Sequence, residues 1–82
     1  MERWFVYILR CSDGSLYTGV TTDPPRRLAQ HNAGKGGAYT RSRRPAKMVF
    51  RESHASRSSA QRREAEIKAW PREKKQARFL RA

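Results

Sequence analysis

The sequence predicts an α+β fold, a small three-stranded antiparallel sheet flanked by helices in the order β-β-α-β-α-α, over one domain spanning residues 1–82. Three observations carry this. Trp4 to Arg10 (WFVYILR) and Leu16 to Thr21 (LYTGVT) are β-branched and aromatic runs joined by strong turn chemistry at Ser12-Asp13-Gly14. Helix-start signals stand at Asp23-Pro24 and again near Ser56, with a third apolar strand between them. The later proline, Pro71, divides the C-terminal segment into two helices.

In the first strand both alternating sets are apolar, Phe5/Tyr7/Leu9 and Trp4/Val6/Ile8, the pattern of a strand covered on both faces. The turn leaves two registers open. If Asp13-Gly14 forms a two-residue turn, Ser12 pairs with Ser15, and Tyr7 and Tyr17 point to opposite faces. If Ser12-Asp13-Gly14 is a three-residue loop closed by a left-handed glycine, Cys11 pairs with Ser15. Tyr17 then lies opposite Leu9 and Tyr7 opposite Gly19, which makes the two tyrosines diagonal neighbours on one face. Glycine at the third loop position favours this second register.

Asp23 as N-cap and Pro24 as first helical residue predict a helix to Asn32, ended at Gly34, with Arg27, Leu28 and His31 on one side. Lys35 to Pro45 (KGGAYTRSRRP) reads as a glycine-rich basic loop with one aromatic residue. Lys35, Tyr39, Arg41, Arg43 and Arg44 are its candidates for contacting a phosphate chain, against the alternative of a solvated loop. A third strand is predicted over Lys47 to Glu52, then a helix starting between Ser56 and Ser59 and running to Trp70. Pro71 stops that helix and opens a last short one to about Leu80. On the long helix Ala60, Glu64 and Ile67 share an inward stripe, whereas Glu66 projects to solvent with Arg62 and Ala69. A carboxylate on an inward stripe needs a partner: Lys68 at i+4, an arginine from the first helix, or a metal ion.

The charge balance names a class of partner. There are 19 Lys and Arg against 7 Asp and Glu, a net charge of +12, and 14 of the cations are Arg. A guanidinium fork suits bidentate phosphate contacts, so the balance points to nucleic acid; a basic surface kept for solubility is the bland reading. Cys11 is alone, no segment is long and apolar enough to cross a membrane, and no apolar signal core follows the start. These features lead to the expectation of a reducing, cytoplasmic setting. One Cys and two His at positions 11, 31 and 54 lack the spacing of a zinc site.

Tyr7, Tyr17-Thr18-Gly19, Arg27 with His31 four residues on, and Glu64 within AQRREAEIK together resemble the GIY-YIG nuclease superfamily, and in particular its short stand-alone bacterial members. Phe5-Val6-Tyr7 stands where the first triplet belongs and keeps only its Tyr; Tyr17-Thr18-Gly19 stands for the second and keeps Tyr and Gly. The resemblance covers essentially the whole chain. It implies metal-dependent hydrolysis of DNA phosphodiester bonds, in repair, recombination or processing, with a single Mg²⁺ or Mn²⁺ held by Glu64. It further implies that Tyr7 and Tyr17 position or deprotonate the attacking water, that Arg27 braces the scissile phosphate, and that His31 supports proton transfer or contacts phosphate. A hard cation asks for oxygen ligands and keeps several waters, so one carboxylate suffices. Arg27 or the metal is expected to lower a tyrosine's affinity for its proton. Single-stranded or branched DNA suits an open basic groove better than sequence-specific cutting, with a protein partner as a further source of specificity. The alternative is a basic nucleic-acid-binding module without turnover. Trp4 and His54 are expected to serve packing.

Overall fold

In a computed structural model, residues 3–80 are described, with strands β1 (Trp4–Arg10), β2 (Leu16–Thr21) and β3 (Lys47–His54) and helices α1 (Pro24–Asn32), α2 (Ala38–Arg41), α3 (Arg57–Lys68) and α4 (Arg72–Phe79). The sheet is antiparallel throughout, with β1 in the centre and the order β2-β1-β3.

The turn takes the three-residue form. Cys11 N–H donates to Ser15 O at 2.8 Å, Gly14 N–H donates to Cys11 O at 2.9 Å, and Gly14 adopts φ +86°. Asp13 Oδ1 closes the loop by accepting from the Ser15 amide at 3.0 Å and from the Ser15 hydroxyl at 2.6 Å. Register is set by this loop: Tyr7 faces Gly19, Leu9 faces Tyr17, and both tyrosines lie on one side of the sheet.

Because β1 is central, both of its faces are buried, as its doubly apolar pattern requires. Val6 and Ile8 pack with Ala60, Ile67 and Phe79, and Trp4, Val20 and Phe50 close around them. On the opposite face Tyr7, Leu9 and Ala46 pack with Tyr17, Leu28 and Met48. One face of the sheet is therefore core against α3 and α4, and the other carries the tyrosines toward α1. Between Ile8 and Leu9 the β1–β3 register shifts by one residue, because Ile8 pairs with Phe50 and Leu9 with Met48; Val49 is the extra residue.

Helix α1 matches its predicted span, with Asp23 Oδ1 accepting from the Arg26 amide at 3.2 Å. Three boundaries differ from expectation. Strand β3 continues two residues past Glu52, because Trp4 at the start of β1 pairs with His54. Helix α3 ends at Lys68, short of Trp70, since the residue before a proline is driven out of the helical region; the Ala69 amide is shared between Ala65 O and Glu66 O, each at 3.2 Å. Within the predicted basic loop, residues 38–41 wind into α2, burying Thr40 and leaving Tyr39 exposed. Trp4 packs against the core as expected, and His54 bonds to Ser59 Oγ at 2.7 Å and Glu52 Oε1 at 2.8 Å.

A Cβ at Gly14 would meet nothing within 4 Å, so its replacement by Ala tests the left-handed backbone alone. Gly14→Ala should cost about 1 kcal/mol and lower Tm by about 4–8 °C in calorimetry. An unchanged melting temperature would contradict the three-residue loop.

Candidate active site

The site is built on the second face of β1. Tyr7 is 1% exposed, and its hydroxyl stands 2.8 Å from Nε2 of His31, which projects from α1 and is itself fully buried. Room for the Tyr7 ring exists only because its cross-strand partner is glycine: a Cβ at Gly19 would lie 2.5 Å from the Tyr7 hydroxyl oxygen. Gly36 plays the same part for His31, whose Nδ1 and Cγ fill the space where a side chain at 36 would begin.

The other imidazole nitrogen, Nδ1, is 2.7 Å from Thr40 Oγ1. Burial, followed by the Arg27 charge, lowers the His31 pKa below the usual 6.5, which favours the neutral ring. For Tyr7 burial is the largest influence and raises the pKa above 10.0; the Arg27 hydrogen bond acts against it but does not prevail, and the Tyr17 and Glu64 charges reinforce the rise. Arg27 does act to lower the tyrosine pKa as expected, but desolvation outweighs it and the net shift is upward. A protonated phenol beside a neutral imidazole is compatible with Tyr7 O–H donating to His31 Nε2 and His31 Nδ1–H donating to Thr40.

Arg27, one helical turn before His31, donates from Nε to the Tyr7 oxygen at 3.4 Å, from Nη1 to Gln30 Oε1 at 3.1 Å and from Nη2 to Gly36 O at 3.3 Å. These are neutral acceptors. No carboxylate pairs with Arg27 among the described residues, so its charge is available to an anion. On its open side it lines a cleft of about 320 Å³ with Arg26, Asp23 and Gln30.

Tyr17 completes the cluster through its ring, 6.3 Å from Tyr7, 5.1 Å from His31 and 5.9 Å from Tyr39 between centroids. The Arg43 guanidinium also lies over the Tyr39 ring, 3.9 Å from its centre. Arg43 in turn bonds to Asp13 Oδ2 at 3.0 Å and to Tyr39 O at 2.9 Å, and its carbonyl accepts from the Ser12 amide at 2.9 Å. The predicted loop is thereby stitched to the hairpin turn. Arg44 Nε donates to Arg41 O at 2.9 Å, while the Lys35 and Arg41 side chains stand exposed.

Glu64 stands apart from the bonded cluster. It lies on α3 between the buried Ala60 and Ile67, with its side chain 21% exposed, and pairs with Lys68 Nζ at 3.2 Å. Its charge still reaches Tyr7, where it contributes to the raised pKa. Among the described residues no group of three or more His, Cys, Asp or Glu forms a metal cluster. A lone carboxylate paired with an exposed lysine fits a hard cation that keeps most of its own waters, and does not fit zinc.

Sequence reasoning missed Thr40, Gln30 and the Gly36 carbonyl. Thr40 is nine residues from His31 across a turn of helix too short to give a periodic signal.

The family model described as the GIY-YIG catalytic domain matches residues 3–77. The chain belongs to the GIY-YIG family. This is a nuclease family whose members generally use divalent metal ions. Among relatives of the GIY-YIG chain, a UPF0213 protein of Staphylococcus haemolyticus is 52% identical over 75 residues, 92% of each chain. One from Haloquadratum walsbyi is 57% identical over 72 residues, covering 88% of this chain and 81% of that one. The fold is likewise similar to two solution NMR structures. The UPF0213 protein BH0048 from Bacillus halodurans has a TM-score of 0.59 at 47% identity, covering 92% of this chain and 80% of that one. EF2693 from E. faecalis has a TM-score of 0.61 at 41% identity, covering 98% and 88%.

The lowered His31 pKa makes stability depend on acidity. Unfolded chains bind the His31 proton more readily, so the native state is fully favoured above about pH 6.5 and loses stability as pH falls below it. Urea midpoints measured from about pH 7.5 down to 5 should decline below 6.5, with His31 titrating at lower pH than a free histidine in NMR. A His31 midpoint above 6.5 would contradict the buried neutral ring.

Proposed function

We propose that the chain is a divalent-metal-dependent endonuclease that hydrolyses phosphodiester bonds of single-stranded or branched DNA, in repair, recombination or processing. The observation that carries this reading is the buried Tyr7–His31 pair set beside an arginine with no acidic partner among the described residues. A phenol with a proton acceptor at 2.8 Å and a cation at 3.4 Å is suited to handling a water proton next to a phosphate.

In this mechanism Arg27 receives the scissile phosphate. The incoming negative charge offsets the guanidinium that helps keep His31 neutral, so the imidazole's affinity for a proton rises once substrate is bound. The Tyr7 oxygen then accepts a proton from the attacking water while its own passes to His31 Nε2. Water oxygen bonds to phosphorus, the bridging P–O bond breaks, and the leaving oxygen takes a proton from solvent. Thr40 holds His31 in the tautomer that leaves Nε2 free to accept. Tyr17 walls the site through its contacts with Tyr7 and His31 and offers its hydroxyl to orient the water. Glu64, paired here with Lys68, would hold Mg²⁺ or Mn²⁺. When bound, that ion supplies charge stabilisation for the phosphoryl oxygens.

Lys35 and Arg41 extend the cationic surface along the substrate backbone; Arg43 and Arg44 contribute their charge while securing Tyr39 and the loop. A protein partner adds to specificity in this reading. Cys11, the single cysteine, is free and buried, which suits a reducing cytoplasm.

Purified protein on single-stranded, duplex and branched DNA with Mg²⁺ or Mn²⁺ tests the proposal. Glu64→Gln should abolish cleavage and leave DNA binding within about two-fold, and Tyr17→Phe should lower kcat by about ten-fold or more with little change in Tm. Cleavage that persists in Glu64→Gln, or absence of cleavage by the unaltered chain on every substrate, would refute it.

A further inference from the structure

The last helix brings basic side chains to the site from a direction that the loop does not cover. Arg72, Lys75 and Gln76 of α4 face the hairpin turn and Tyr39 across a cleft of about 440 Å³, a volume within the range of nucleotide-sized ligands. The cleft joins the site on two sides. Leu16 in its wall directly precedes Tyr17, and Tyr39, also in its wall, stacks on Tyr17 at 5.9 Å. From the other side, Lys75 Nζ donates to Lys68 O at 3.5 Å, and Lys68 holds Glu64 at 3.2 Å.

Its charge suits a phosphate chain. Among the described residues Asp13 is the only acidic one in the lining, and its carboxylate is already engaged by Arg43 at 3.0 Å and by Ser15. Arg72 and Lys75 form no ion pair among the described residues. Tyr39 is 40% exposed, yet its ring is engaged by the stacked Tyr17 and by the Arg43 guanidinium, so the proposal takes its edge and hydroxyl as what it offers the cleft.

Resting on the nuclease reading, we propose that this cleft binds the nucleotides of a single strand flanking the scissile phosphate. Arg72 and Lys75 hold their phosphates, and the Tyr39 edge and Gln76 meet a base. In this proposal the cleft, of nucleotide size, takes one strand rather than a duplex.

The test is fluorescence anisotropy of a labelled oligothymidylate with the full chain, divalent cations chelated, across a salt series. Arg72→Gln and Lys75→Gln together should weaken binding by about ten-fold and flatten the slope of log K against log salt by about 1.4, or 0.7 per lost single-strand phosphate contact. Arg62→Gln, which removes a charge from the exposed side of α3, should change the slope by less than about 0.3. An unchanged slope in the double variant, an equal effect per charge from Arg62→Gln, or an equal loss on duplex DNA would overturn the proposal. Because binding is read without turnover, failure to cleave would count against the nuclease reading and leave this measurement to decide the cleft separately.

Discussion

The buried hydrogen bond between the Tyr7 hydroxyl and His31 Nε2, 2.8 Å long, is the contact around which the rest of the site is arranged. It sets demands on both elements it joins. On the sheet side the ring of Tyr7 needs an opposing residue without a side chain, which Gly19 supplies only in the register enforced by the three-residue turn. On the helix side the ring of His31 presses on Gly36 and needs a partner for Nδ1, which Thr40 supplies once the segment after α1 winds into α2. The energetic weight of such a pair lies in the cost of disrupting it, since removal of either partner strands a buried polar group at about 1–3 kcal/mol.

The same packing sets the chemistry. Desolvation keeps the proton on Tyr7 and off His31, and Arg27 pushes in the same direction at the imidazole while opposing it at the phenol. A neutral, fully bonded pair costs less to bury than an ion pair would. It is also responsive, because a phosphate arriving at Arg27 alters the field at both groups. A small domain has one sheet with which to do this. By giving one face of β1 to Val6, Ile8 and the core, and the other to Tyr7, the chain obtains stability and a site from a single strand.

Much of this was legible in the residues. The doubly apolar pattern of Trp4 to Arg10 implies a central strand, glycine at the third loop position favours the observed register, and Asp23-Pro24 starts α1 where it is found. The i, i+4 spacing puts Arg27 and His31 on one side of that helix, where both reach Tyr7. Glu64 on the inward stripe has the Lys68 partner that was one of its open alternatives. What stayed hidden depended on contacts between segments distant in sequence. Helix α2 exists because Thr40 reaches His31 and because Arg43 ties the loop to the turn, and neither bond leaves a periodic trace. The direction of the Tyr7 shift was hidden for a related reason: a nearby arginine is visible in sequence, whereas the depth of burial that outweighs it is a property of the assembled fold.

The most direct measurement is ¹⁵N NMR of the His31 ring at neutral pH, which reports the protonation of each imidazole nitrogen. The expected result is a neutral ring protonated at Nδ1, facing Thr40, with Nε2 bare and accepting from Tyr7. A ring protonated at Nε2, or at both nitrogens, would contradict the proton arrangement on which the proposed chemistry rests.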